Sequence, residues 1–217
     1  MKKEIKKEFW LAAGFLFAFV LWTVLVRLID VRAIGPHGSA VGLATLNGAF
    51  HALTGTSVTL YTITDWLGLV PLGIAFAFAV LGLVQWIARK KISKVDKSLL
   101  VLGGFYLAVM GVYLLFEFVV INRRPVLIEG VLEASYPSST TMLTLCLMPT
   151  AIMQFHTRIK RKICRYVTLF LLLALTVFTV VGRVLSGVHW LTDIAGGVLL
   201  SAGLVTAYHA TVCSFEK

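Results

Sequence analysis

Residues 182–193 read GRVLSGVHWLTD and lie between two long apolar runs. If Asp193 opens the following helix, it stands one turn beyond His189 and can hold the imidazole through one ring nitrogen. The other nitrogen is then free to act as a nucleophile or a base. Arg183 adds a planar guanidinium group that suits a phosphate. The stretch also fits a short loop with a helix cap at Asp193 and a chance arginine, so both interpretations are open at this point.

Two other polar stretches interrupt the apolar runs. Residues 122–125 read NRRP, and residues 136–141 read YPSSTT. In their order and their placement between apolar runs, the three stretches resemble the signature of the type 2 phosphatidic acid phosphatase superfamily. These are membrane lipid phosphatases that share a fold with vanadium haloperoxidases, and their motifs read K-x6-R-P, P-S-G-H and S-R-x5-H-x3-D. The resemblance covers about residues 100–210, with the signature itself at about 117–193.

The resemblance implies a role for each matched residue. His189 would attack phosphorus and form a phosphohistidine, and Asp193 would stabilise the imidazolium that develops. The arginines would grip the phosphate oxygens, and serine hydroxyls with helix-start amides would add donors. The expected phosphate-binding residues are Arg124, Ser138, Ser139 and Arg183. Because the arginines neutralise the charge, we expect no metal and no cofactor.

The sequence departs from the family pattern in each of the three motifs. Glu117 stands at the place of the lysine, Thr140 at the place of the second-motif histidine, and Gly182 at the place of a serine. In the family that histidine is the general acid, which is worth about 100- to 10,000-fold in rate, and a threonine cannot replace it. Three explanations are open. In the first, the leaving group needs little protonation, as in a lipid diphosphate. In the second, another residue acts as the acid, with Glu117, His37 or His51 as candidates. In the third, the chain is an impaired relative or an engineered variant that binds or transports phosphorylated lipids.

Glu117 is also unfavourable beside a phosphate, because two negative charges repel. We expect it either to pair with Arg124 or Arg123 or to be protonated at membrane depth. Arg123 is adjacent to the matched arginine and is expected to point elsewhere, toward lipid headgroups or Glu129.

The composition indicates a polytopic membrane protein. Of 217 residues, 59% are hydrophobic and 14% are charged, and the mean hydropathy is +0.91. A soluble domain carries about 25% charged residues. We therefore predict an all-α membrane helix bundle that forms a single domain over residues 1–217. Three cysteines without metal-ligand spacing are predicted to be small membrane-core residues: Cys146, Cys164 and Cys213.

Six apolar runs are long enough, or nearly so, to cross a bilayer. They are residues 9–29, 66–88, 98–121, 137–155, 166–181 and 193–213. Asp65 is expected to cap the second span and Pro149 to kink the fourth. Residues 41–53 have apolar residues at helical spacing, which predicts a helix lying in the interface or capping the bundle.

The basic residues predict the orientation. The formal net charge is +10, and most lysines and arginines lie in residues 1–8, 89–97 and 158–165 and at Lys217. By the positive-inside rule these segments and both termini are cytoplasmic, and the three motif loops face outward across a bacterial plasma membrane. The basic excess then contacts anionic lipids, and a nucleic-acid partner is excluded.

The function predicted from the resemblance is a membrane lipid phosphatase at the outer face. Undecaprenyl diphosphate is the first candidate substrate, because its leaving group is a phosphate monoester and an outward site suits a carrier lipid. Phosphatidylglycerol phosphate or phosphatidic acid is the alternative substrate. A protein that binds or transports phosphorylated lipids without turnover is the alternative outside enzymes. The sequence does not predict the oligomeric state.

Overall fold

The computed structural model describes residues 2–215 and is almost entirely helical. Met1 and residues 216–217, which include Lys217 of the predicted cytoplasmic tail, lie outside the described residues. Two short 3-10 turns, Pro36–Gly38 and Ile92–Lys94, and isolated β-bridges complete the regular structure of this part of the chain. The α-helices are α1 Lys2–Leu28, α2 Ala44–Thr54, α3 Val58–Leu67, α4 Leu69–Arg89, α5 Lys97–Phe118, α6 Ser139–Arg158, α7 Lys162–Ser186 and α8 Leu191–Phe215.

Five stretches are long and apolar enough to cross a membrane: α1, α3 with α4, α5, α7 and α8. The fourth predicted span is α6, which is 20 residues long but more polar. Helix α6 packs against α4, α5, α7 and α8, so its polar side chains are shielded from lipid by protein. Its buried polar residues include Thr141, Thr144, Thr150 and Gln154. The prediction of an all-α polytopic membrane bundle is confirmed, and the six predicted spans each correspond to one of these stretches.

Helix α8 packs along α1 and α6 at the centre of the bundle. Glycine allows α8 to pack closely on α1, because a Cβ at Gly203 would lie 2.7 Å from a methyl carbon of Leu16. Near the motif end, Phe19, Tyr136 and Leu200 belong to one buried cluster. Large apolar side chains cover the outside of the helices, as expected for surfaces in contact with hydrocarbon.

The second span begins earlier than predicted, and Asp65 is not its cap. Helix α3 starts after Ser57, whose Oγ accepts from the Leu60 amide at 3.3 Å. Threonines make residues 58–65 look too polar for a membrane helix. In the structure Thr62 and Thr64 donate their hydroxyls to carbonyls one turn earlier, so these groups are satisfied within the helix. Asp65 therefore lies inside α3.

Helix α7 is also longer than the predicted span, so Arg183 lies on a helix and not in a loop. The helix ends at Gly187, whose φ of 65° is the left-handed conformation typical of a helix C-cap. Helix α2 packs on α8, with the buried Asn47 donating to Thr192 Oγ1 at 2.9 Å. A helix is therefore observed in residues 41–53, and it packs on the bundle at α8.

The three motif stretches meet at one end of the bundle, where α7 ends and α6 and α8 begin. The opposite end carries the basic connectors. There Arg158 and Arg89 pair with Asp96 at 3.2 and 3.0 Å, and His209 contacts Glu8 at 3.0 Å.

Candidate active site

The tight connection between α7 and α8 positions His189. A Cβ at Gly187 would lie 1.7 Å from the Gly55 carbonyl oxygen, so only glycine fits this turn. Asp193 stands in the first turn of α8 and accepts from the Trp190 amide at 3.0 Å, as the acid of a capping box does. The same carboxylate oxygen is 3.7 Å from His189 Nδ1. Asp193 is therefore a helix cap and the neighbour of the imidazole at once.

The surroundings of His189 select one tautomer. Its Nε2 lies 3.3 Å from Arg124 Nη1. A guanidinium group can only donate, so Nε2 is the acceptor and Nδ1 carries the hydrogen that faces Asp193. Burial, followed by the charges of Arg124 and Arg183, holds the pKa of His189 well below its usual value. The ring is thus neutral, with the Nε2 lone pair directed at the arginine cluster.

Arg183 is fully buried and only partly satisfied. Its Nη2 donates to Thr140 Oγ1 at 2.9 Å and to Asp65 Oδ1 at 2.5 Å. Its Nε and Nη1 have no hydrogen-bond partner among the described residues. The guanidinium lies over the Tyr61 ring, 4.7 Å from its centroid. Buried donors without partners are costly, and a phosphate oxygen would satisfy them.

Arg124 contacts the same Tyr61 ring as Arg183. Its guanidinium carbon is 5.7 Å from the Tyr61 centroid, and its Nε is 2.9 Å from Glu133 Oε2. Arg124 also lines a cleft of about 540 Å³ together with Glu117 and Ser139. The cleft gives a route from the surface to the buried arginine.

The two serines predicted to bind phosphate differ in position. Ser138 precedes α6 and is buried; its amide donates to the Asp193 carbonyl at 3.1 Å, and its Oγ accepts from Thr141 Oγ1 at 3.0 Å. Ser138 thus joins the start of α6 to the first turn of α8 at Asp193. Ser139 begins α6 and lies on the wall of the cleft near Arg124.

Of the alternatives for Glu117, pairing with Arg124 or Arg123 is not observed among the described residues. A β-bridge between Arg123 and Ala134 places the two sides of the loop together, so Arg124 pairs with Glu133 instead. Arg123 Nη1 donates to the Leu132 carbonyl at 2.9 Å and not to Glu129. Glu117 is exposed on the wall of the cleft.

The two histidines considered as substitute acids lie elsewhere. His37 is exposed in a 3-10 turn, and His51 packs edge-on against Trp190, with ring centroids 5.5 Å apart. The structure instead brings Asp65 to the arginine that contacts Thr140.

Sequence reasoning missed Tyr61, Asp65, Glu133 and Asn122, the last of which donates to Asp193 Oδ1 at 3.4 Å. A usable signal existed for Asp65, because a charged residue beside an apolar run usually has a functional reason or an internal partner. Tyr61 and Asp65 are four residues apart and so share one helix face.

Comparison with known proteins agrees with this geometry. Residues 118–215 match the PAP2 superfamily. The whole chain also resembles the crystal structure of a transmembrane PAP2-type phosphatidylglycerolphosphate phosphatase from Bacillus subtilis, with a TM-score of 0.57 and 17% sequence identity. The alignment covers 94% of this chain and 96% of that one. No curated protein matches the chain.

The matched region contains all three motif stretches, from just after Glu117 to the end of α8. The resemblance inferred from the motifs is confirmed. Residues 118–215 of this chain match the PAP2 superfamily, and the chain as a whole has a fold similar to that of a transmembrane PAP2-type phosphatase.

Proposed function

We propose that the chain hydrolyses a lipid phosphate or diphosphate through a phosphohistidine on His189. The observation that carries the proposal is the arginine pair. Arg124 and Arg183 lie over one tyrosine ring, and the neutral His189 contacts Arg124 through its unprotonated nitrogen. Two fixed positive charges beside a neutral nucleophile suit a phosphoryl group, whose charge builds on its oxygens during transfer.

The reaction divides into two displacements at phosphorus. His189 Nε2 attacks, the bond to the leaving oxygen breaks, and the positive charge on the imidazole is balanced by Asp193. Water then attacks the phosphohistidine, phosphate leaves, and His189 is restored. The arginines hold the transferred group in both steps, and the donors of Arg183 that lack protein partners are available to it.

An apolar groove beside Arg183 supports a lipid substrate. It lies between α3 and α7, has a volume of about 540 Å³, and runs along α7 from Leu185 to Phe170. Its upper end includes Gly182, the residue before Arg183. A lipid whose phosphate reaches the arginines can therefore lay a hydrocarbon chain along this groove.

Undecaprenyl diphosphate is our first candidate substrate, because its phosphate leaving group needs little protonation where the family histidine is replaced by Thr140. The Bacillus subtilis protein of similar fold is a phosphatidylglycerolphosphate phosphatase, which favours phosphatidylglycerol phosphate as the second candidate. The replacement of the family histidine by Thr140 also favours the other candidate, a protein that binds or transports such lipids without turnover.

The deciding experiment is phosphate release by the purified protein in detergent. The panel contains undecaprenyl diphosphate, phosphatidylglycerol phosphate and phosphatidic acid, with His189→Ala prepared in parallel to detect a contaminating phosphatase. We expect release from at least one lipid by the wild type alone. Saturable binding of these lipids with no release from any of them would instead support the binder.

We also propose that the site faces the outside of a bacterial plasma membrane. The basic residues supporting this, among them Arg89, Arg158 and Arg161, lie at the end opposite the motifs. A polytopic protein retains such residues on the cytoplasmic side.

Cysteine labelling tests this topology. Val131 is exposed in the motif loop and Ser93 in the connector at the other end. Cys164, predicted to be a membrane-core residue, is exposed in the first turn of α7 and must first be replaced, as must Cys146 and Cys213. An impermeant maleimide added to intact cells should label Val131→Cys and not Ser93→Cys. The reverse pattern would place the site in the cytoplasm.

A further inference from the structure

Helix α3 presents two different faces to the rest of the bundle. Leu60 and Thr64 face α7, where they lie against Gly182. Tyr61 and Asp65 each follow one of these residues by one position and lie on the neighbouring face. The Tyr61 ring contacts Arg124 and Arg183, and Asp65 pairs with Arg183. The helix thus contributes an aromatic ring and a carboxyl group to the site.

Two departures from the family motifs lie directly against this element. A Cβ at Gly182 would be 2.5 Å from Thr64 Cγ2, so a serine there would push α3 away from α7. A Cβ at Gly68, just after α3, would be 3.2 Å from Thr140 Cγ2. The glycine in place of the serine and the threonine in place of the histidine therefore both accommodate α3.

The close approach brings the Asp65 carboxyl next to Thr140. One nitrogen, Arg183 Nη2, donates to oxygens of both residues, so the two side chains are neighbours. The Asp65 side chain is 56% exposed, whereas that of Arg183 is 1% exposed. The Asp65 carboxyl group is therefore in reach of water while it touches Arg183.

We propose that Asp65 is the general acid of this site, in the place of the missing histidine; the proposal rests on the phosphatase function proposed above. As His189 Nε2 forms its bond to phosphorus, the bond to the leaving oxygen breaks and the Asp65 carboxyl gives that oxygen its proton. In the second step water attacks phosphorus and gives its proton to the Asp65 carboxylate. The sum is hydrolysis, and Asp65 ends each cycle as it began.

The substrate range widens as a consequence. With an acid present, the site can hydrolyse a lipid monophosphate, whose leaving group would otherwise depart as an alkoxide, as well as a lipid diphosphate. Lipid monophosphates such as phosphatidic acid are thus substrates of this site.

The test compares leaving groups in Asp65→Asn, which keeps the shape of the side chain and its acceptor oxygen for Arg183. Phosphatidic acid leaves an alcohol that needs a proton, and p-nitrophenyl phosphate leaves a stable phenolate that does not. We expect kcat on phosphatidic acid to fall about 100- to 10,000-fold and kcat on the aryl phosphate to fall much less. The matched control is Asp96→Asn, which also removes a carboxylate paired with an arginine, at the far end of the bundle; both rates should persist.

A rescue experiment adds a second readout. Asp65→Ala removes the carboxyl and opens space beside Thr140, so Thr140→His in that background should recover much of the lost activity on phosphatidic acid. The folded fraction of each variant is measured by size-exclusion chromatography. If the double variant does not fold, the comparison of leaving groups in Asp65→Asn alone tests the proposal.

Equal losses on both substrates in Asp65→Asn would overturn the proposal and make Asp65 a positioning residue for Arg183, with the phosphatase function intact. Unchanged rates on both substrates would overturn it as well. A wild type that releases phosphate from undecaprenyl diphosphate or phosphatidylglycerol phosphate but hydrolyses neither of these two substrates would overturn this inference and leave the phosphatase function intact. Release from no substrate at all would remove both.

Discussion

Replacing His189 with alanine should abolish turnover, by a factor on the order of 10,000 or more, and leave lipid-phosphate binding largely intact. The reason is that the histidine forms its bond to phosphorus only as the reaction proceeds, whereas the arginines already hold the ground state. The measurement is kcat by phosphate release, with affinity measured on a non-hydrolysable phosphonate lipid.

His189→Gln guards against a purely structural effect. The ring of His189 is buried against Arg124, and alanine leaves that guanidinium without its acceptor. A glutamine amide keeps an acceptor for Arg124 but is a very poor nucleophile, so turnover should again be lost. An equal loss of binding and turnover in both variants would identify His189 as a structural residue.

Replacing Arg183 with alanine should weaken both binding and turnover. We expect kcat/KM to fall about 100- to 1,000-fold, since a fixed donor that stabilises the transferred group is removed. Affinity for the phosphonate lipid should fall as well, because charged hydrogen bonds are worth about 1.5–3 kcal/mol each. This joint loss distinguishes Arg183 from His189.

Arg158→Ala is the matched control for Arg183→Ala. Arg158 also pairs with an aspartate, Asp96, but at the opposite end of the bundle. It should change the thermal stability at most and leave kcat/KM close to the wild-type value. If Arg183→Ala bound the phosphonate as tightly as the wild type, Arg183 would not be a phosphate ligand.

Much of the fold follows from apolar runs alone, because a membrane helix needs length and low charge and little else. The order of the motifs then predicts which residues share a site, since each motif borders a helix end at the same side of the membrane. The bounds of α3 and α7 were harder to predict. Their ends carry threonine, aspartate and arginine, which are stable there only because other helices or the same helix satisfy them.

The partners of the charged residues did not follow from sequence. Glu117 was the candidate partner for Arg124 within the first motif, yet a bridged loop supplies Glu133 instead. Asp65 is 118 residues from Arg183, and only the packing of α3 on α7 at Gly182 joins them. Contacts of this range depend on how helices pack, which the local pattern does not specify.

The central claim is that His189 carries the phosphoryl group during turnover. The most direct measurement is rapid acid-free quenching of the wild type with a phosphorus-labelled lipid substrate, followed by peptide mapping of the labelled protein. The account predicts a base-stable, acid-labile phosphohistidine at His189 that forms and decays at the rate of turnover. Turnover without label at His189, or label that persists in His189→Ala, would contradict it.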